Sequence, residues 1–119
     1  MVNPVMRWQI VSPESEQLAQ FYSGLFGWEP NRDNALGYHA IDTKSEQGIQ
    51  GGIWPAPPGA PSFVQLFVEV DDCAAYVASA QALGATVLIP PQALPDGDVM
   101  ALLKDPSGMS FGIMARRPA

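Results

Sequence analysis

The chain has little that would mark it for secretion, for a membrane or for nucleic acid. One cysteine, Cys73, stands among 119 residues, so no intrachain disulfide can form and no cysteine-cluster metal site exists. Lysine and arginine total six against twelve acids, a formal net charge of −6. Without a basic stripe to neutralise phosphates, nucleic acid is excluded as a partner, and anionic membrane surfaces are disfavoured for the same reason. No apolar run approaches the roughly 18 residues of a membrane helix. The opening stretch from Met1 to Arg7 lacks a basic segment, an apolar run and a small-residue cleavage site. No signal peptide is expected, and the cytoplasm is the expected location.

Charge of either sign is scarce. Charged residues make up 15% against 47% hydrophobic, the balance of a folded globular domain rather than a disordered chain. Three Trp, three Tyr and five Phe suit a protein that buries apolar surface in a pocket or against a second subunit. The length leaves room for one domain, or for two fused half-domains sharing a core.

Periodicity then supplies the elements. Val5 to Val11 alternates, with Trp8 and Ile10 on one face and Arg7, Gln9 and Val11 on the other, which predicts a strand. Ser12 is placed to cap a following helix, Pro13 to occupy its first position, and Glu14 and Glu16 to meet its positive end. Leu18, Phe21, Tyr22, Leu25 and Phe26 recur at helical spacing, and Gly27 is placed to end the helix in the left-handed conformation. Three short strands are expected between Trp28 and Trp54, separated by polar turns. Gly51-Gly52 within the last of them signals a bulge, or a place where something approaches the backbone closely.

The stretch Pro55 to Pro61 holds four prolines and reads as a stiff extended linker. After it the pattern restarts. Phe63 to Val70 alternates, Asp71-Asp72 offer capping oxygens, and Tyr76, Val77, Ala80 and Leu83 form a helical stripe that Gly84 stops. Strands are expected at Thr86–Ile89, Val99–Leu103 and Phe111–Met114. Asp105-Pro106-Ser107-Gly108 is a turn sequence between the last two. Glu14 and Asp71 are 57 positions apart, as are Gly27 and Gly84. One offset relates both helix starts and both helix ends, so the chain reads as an internal repeat of pattern.

The expected fold is therefore α+β: two tandem β-α-β-β-β units, 1–55 and 62–119 joined by the 55–61 linker, forming a curved mixed sheet around a central groove. Strand residues pointing away from the helices would line that groove: Arg7 and Gln9 from one strand, Gln65, Phe67 and Glu69 from another. Burying unpartnered polar groups costs about 1–3 kcal/mol each, which argues for a wet or ligand-filled cavity.

At this point a resemblance enters. The string Phe21-Tyr22-Ser23-Gly24-Leu25-Phe26-Gly27-Trp28 resembles the helix end of glyoxalase, bleomycin-resistance and extradiol-dioxygenase proteins, the vicinal oxygen chelate superfamily. Val68-Glu69-Val70-Asp71-Asp72, Leu83-Gly84-Ala85 and Asp105-Pro106-Ser107-Gly108-Met109-Ser110-Phe111 fit the same family in the same order. The resemblance covers nearly the whole chain. It implies a groove that, in metal-using members, holds one divalent ion through His, Gln or Glu. By that resemblance the ion-holding positions fall at Arg7, at Gly51-Gly52, at or beside Gln65, and at Gly112. One cation, positions without side chains and one amide stand there, so no metal or other cofactor is expected.

Each candidate has a plainer reading beside the functional one. Arg7 could clamp a ligand carboxylate or phosphate, or pair with an acid such as Glu69. His39 could act as a general base, or be a surface or hydrogen-bonded structural residue. Cys73, at a helix start beside two acids, reads as a small residue near a cap rather than a nucleophile. Tyr38, Trp54, Phe63 and Phe67 could line a site for a flat ligand, or belong to a core or subunit interface. Trp8 is expected beneath the helix.

The expected function is metal-free binding of a small apolar or aromatic molecule, with Arg7, Gln9, Tyr38, Trp54, Gln65 and Phe67 as ligand-binding residues and none assigned to catalysis. By resemblance, single-chain members of this size pair, so a homodimer is expected. One alternative is a lyase, isomerase or dioxygenase whose metal uses displaced ligands such as His39, Glu46 and Glu69. Another is a structural or regulatory module whose groove is closed. Fold analogy does not decide among them.

Overall fold

The structure is a computed structural model that describes residues 3–33 and 37–117. Its elements run β1 (Val5–Ser12), α1 (Ser15–Phe26), β2 (Glu29–Asn31), β3 (His39–Asp42), β4 (Gly51–Pro55), β5 (Phe63–Glu69), α2 (Cys73–Ala82), β6 (Thr86–Ala93), β7 (Val99–Lys104) and β8 (Ser110–Ala115). The class is α+β, and the β-α-β-β-β order occurs twice, as the periodicity indicates. The chain divides into two compact units. The first holds the described residues of 7–65, and the second holds those of 66–119 with those of the first six positions.

Within the first unit the strands lie in the order β2-β3-β4-β1. β1 and β4 are parallel, with Gln9 opposite Gly52 and Val11 opposite Trp54, while β3 is antiparallel to both β4 and β2. The second unit repeats this scheme. Its order is β5-β8-β7-β6, with β5 parallel to β8 and the remaining pairs antiparallel. The repeat foreseen from a shared sequence offset is thus also a repeat of strand pairing.

Helix α1 starts later than Ser12 and Pro13 suggest. Ser12 stays in β1, and its hydroxyl oxygen accepts from the Glu14 main-chain N–H at 3.0 Å. Glu14 occupies the cap position without a side-chain bond. The hydroxyl therefore stabilises the turn into the helix rather than the helix end. At the other end Gly27 adopts φ 73° and donates its N–H to the Ser23 carbonyl, the glycine stop the sequence calls for. In α2, Asp72 caps as expected, accepting from Ala75 N–H at 3.1 Å.

Each unit has its own core. In the first, Ala19, Ile41 and Ile53 are buried, with Trp8, Ile10, Leu18, Tyr22 and Trp28 packed on them. Trp8 lies beneath α1 as alternation predicts, and its indole donates to the Ile49 carbonyl. In the second, Val70, Cys73, Val77, Ala101, Leu103 and Ile113 are buried together. Truncating Ile53 or Leu103 to Ala would cost about 2–5 kcal/mol. The apolar stripe of α1 is only partly covered, and Phe21, Leu25 and Phe26 remain more than half exposed. Leu83, assigned by spacing to the α2 stripe, follows the last helical residue and is exposed as well.

Candidate functional site

Five of the six residues expected to bind a ligand meet in the first unit, on the sheet face turned away from α1. Alternation along β1 puts Arg7 and Gln9 on that face. Gly52, opposite Gln9 across the parallel ladder, has no side chain to cover its share. The Tyr38 ring covers it instead: a β-carbon on Gly52 would overlap the phenol oxygen. The close approach that the Gly51-Gly52 pair signals is therefore real on both faces, because the Trp8 ring fills the corresponding space over Gly51. The ladder through these glycines keeps its register, so the alternative signal, a bulge, is not what they provide.

Arg7 is the hydrogen-bond partner of the Tyr38 phenol. Burial pushes the Tyr38 pKa above its ordinary value, while the guanidinium pulls it part of the way back. The phenol therefore stays protonated across the physiological range. Trp54, two residues beyond Gly52 on the same face, sets its ring 5.9 Å from that of Tyr38 at 45°. Gln65 at the start of β5 donates its amide to the Gln9 side-chain oxygen at 3.0 Å. Gln9 and Gln65 are 9% and 3% exposed. Arg7, Tyr38 and Trp54 are only half-buried, so they present a cation, a phenol and an indole to the solvent side while the two amides sit beneath.

The sixth residue, Phe67, lies in the second unit. It is 2% exposed, and its ring occupies the space beside Gly112, where a β-carbon would come within 2.6 Å of it. Phe63 instead borders a shallow cavity of about 410 Å³ that Leu18 and Tyr22 of α1 also line. Glu69, the acid considered for Arg7, is held by Arg116 at 3.0 Å.

His39 faces the opposite way from Tyr38, onto the α1 side. It is 2% exposed, its Nε2 lies 3.7 Å from the Glu16 carboxylate, and its buried Nδ1 has no hydrogen-bond partner. Burial lowers its pKa, Glu16 opposes that, and Arg32 adds to it. A neutral ring with its proton on Nε2 satisfies this geometry, because an N–H pointed at the buried side would find no acceptor. A cavity of about 500 Å³ lies beside it, lined also by Glu16, Ser23 and Arg32. Cys73 donates its thiol to the Val99 carbonyl at 3.2 Å, and burial raises its pKa, which suits a core residue rather than a nucleophile.

Among the described residues no three His, Cys, Asp or Glu side chains are grouped to hold a metal ion, so His39, Glu46 and Glu69 are not brought together. At the positions the resemblance assigns to an ion, the residues present do not fit one. Arg7 carries like charge, the phenol of Tyr38 takes the place beside Gly52, Gln65 offers only one neutral amide oxygen, its NH2 being spent on Gln9, and Phe67 fills the side of Gly112.

The bonds that assemble this face leave no mark in sequence. Gln9 and Gln65 are 56 residues apart, and nothing in either local pattern announces the other. Tyr38 precedes β3 by one residue, and its role becomes visible only once Gly52 is seen to lack a side chain beneath it.

The fold and sequence have recognisable relatives. A sequence profile described as a glyoxalase-like domain matches residues 9–114. CFP32 of Mycobacterium tuberculosis (strain CDC 1551 / Oshkosh), whose name gives glyoxylase as a provisional activity, is 30% identical over 102 residues, covering 79% of this chain. The chain spans only 38% of that relative's length. Among solved structures, the hypothetical protein BH1468 from Bacillus halodurans C-125 superposes with a TM-score of 0.71 at 12% identity, covering 100% of this chain and 98% of its own. A variant of Streptomyces coelicolor methylmalonyl-CoA epimerase, in complex with 2-nitronate-propionyl-CoA, superposes with a TM-score of 0.62 at 15% identity, covering 96% and 97%. At such identities the structures speak for the fold alone. The profile covers most of the sequence, and the chain belongs to the glyoxalase-like domain family within the vicinal oxygen chelate superfamily.

Proposed function

We propose that this domain binds a small apolar or aromatic molecule without a metal ion, on the sheet face that carries Arg7, Gln9, Tyr38, Trp54 and Gln65. The observation that carries this reading is the Arg7–Tyr38 pair over Gly52. A cation and a protonated phenol stand where a divalent ion would need carboxylate or imidazole ligands. The half-buried rings of Tyr38 and Trp54 offer apolar area, and the glutamines offer polar atoms that orient a guest. The name of the mycobacterial relative suggests glyoxylase chemistry, but a metal-dependent form of it lacks side chains here to hold the metal. Sequestration or carriage is the action that this lining supports. By family resemblance the working form is a cytoplasmic homodimer.

Native mass spectrometry of untagged protein, purified without chelators, tests this. The expected spectrum shows twice the chain mass and no stoichiometric divalent ion, and calorimetric titration with Zn²⁺, Mn²⁺ or Mg²⁺ gives no saturable heat. One tightly held divalent ion per chain, lost together with ligand binding on chelation, would overturn the proposal.

A further inference from the structure

We infer that the molecule taken on this face is an anion, a flat carboxylate for which Arg7 is the counter-charge. The inference rests on the binding reading above and deepens it.

Arg7 is unusual among the cations of this acidic chain. Arg32 is paired with Glu16, Lys44 with Glu29 and Arg116 with Glu69. Arg117 donates to the Asp96 carbonyl, and its main-chain N–H reaches the Asp98 carboxylate. Lys104 is exposed on β7. Arg7 is half-buried, yet among the described residues no carboxylate lies within ion-pairing distance of it. Its neighbours on the face are a phenol, an indole and two amides. Acids outnumber bases two to one in this chain, so an internal partner would be easy to supply. Desolvating a guanidinium without an anion is costly, and an anion from outside offsets that cost.

The charge and shape of the guest follow from the same lining. Among the described residues the face carries one guanidinium and no second cation, which matches a single negative charge rather than a dianion. The planar fork of Arg binds carboxylate through two parallel hydrogen bonds, and the phenol of Tyr38 holds the guanidinium in place. The Trp54 and Tyr38 rings, paired at 5.9 Å and 45° and each half-buried, offer aromatic area on which a flat, conjugated body stacks better than a bulky aliphatic one.

The test is a titration of the full chain followed by amide and indole NMR signals. The probes are benzoate, cinnamate and 2-naphthoate, run in parallel with their carboxamides. Each acid is expected to shift the signals of Arg7, Tyr38 and the Trp54 indole saturably, binding about tenfold tighter than its amide. Arg7→Gln is expected to erase that gap, so that each acid and its amide bind with equal affinity. Amides that bind as tightly as acids would overturn the anion inference while the binding reading stands. Failure of both series to shift these signals would overturn both. If Arg7→Gln does not fold, the comparison of acid with amide on the wild-type chain decides, since it needs no variant.

Discussion

Gln65 donates to Gln9 across 56 residues of chain, and both amides are nearly buried. This bond joins the first residues of β5 to the middle of β1 inside the first unit. Replacing Gln65 with Leu leaves the Gln9 oxygen without its donor, at a cost of about 1–3 kcal/mol. Gln9→Leu together with Gln65→Leu removes the need as well as the partner. Urea unfolding of the two single variants and the double variant is expected to show the double losing less than the two singles combined. Simple additivity would mean that the amides are solvated independently and the bond contributes nothing.

Gly52 is tied to the site by what it lacks. A methyl group at Gly52→Ala would overlap the Tyr38 phenol, so the ring must swing away or the strand must shift. A stability loss of about 1–3 kcal/mol is expected, with displacement of the Tyr38 ring signals by NMR. Introducing Tyr38→Ala alongside is expected to recover most of the loss attributable to overlap. A fully stable Gly52→Ala whose Tyr38 signals are unmoved would show that the ring does not rest on this glycine.

His39 makes stability depend on pH in a stated direction. Its folded pKa lies below the ordinary 6.5 because burial disfavours the charged ring, with Glu16 opposing and Arg32 reinforcing. A depressed pKa means that the unfolded chain takes up the proton first. The contribution is therefore complete above about 6.5 and is lost progressively as pH falls toward the lower folded value. Thermal midpoints measured from pH 8 down to pH 5 should fall less steeply in His39→Gln than in the wild type. Parallel curves would mean that His39 titrates alike in both states.

Cys73 is held in the second core with its thiol on the Val99 carbonyl. Its raised pKa and burial predict slow alkylation by iodoacetamide in the native chain and rapid alkylation in urea. Equal rates in the two conditions would place the thiol at the surface.

Much of the fold was legible because it rests on local rules. The alternation in β1, the Gly27 stop and the Asp72 cap each arise from residues within one or two turns of chain, and each appears where expected. The 57-residue offset holds only to within a residue, the caps being Glu14 with Asp72 and Gly27 with Leu83. The sequence overreached where a local signal had two uses. Ser12 has the chemistry of a cap, yet here it serves the turn before the helix. Phe21, Leu25 and Phe26 sit at helical spacing with Leu18 and Tyr22, yet all three stay more than half exposed. Spacing tells which residues share a face and cannot tell how much of that face is covered.

By itself the sequence determined the α+β class, the doubled β-α-β-β-β order and the set of side chains on each strand face, because backbone sterics and hydrophobic periodicity act over a few residues. Which of those side chains meet was decided only by the tertiary structure. Parallel pairing of β1 with β4 brings Gly52 opposite Gln9, and the Tyr38 ring then settles over that glycine beside Arg7. Phe67, given equal standing with them by alternation, is buried against Gly112 in the other unit. Contacts between residues tens of positions apart depend on register and on the volume left by small residues, and neither quantity is written in any single stretch of chain.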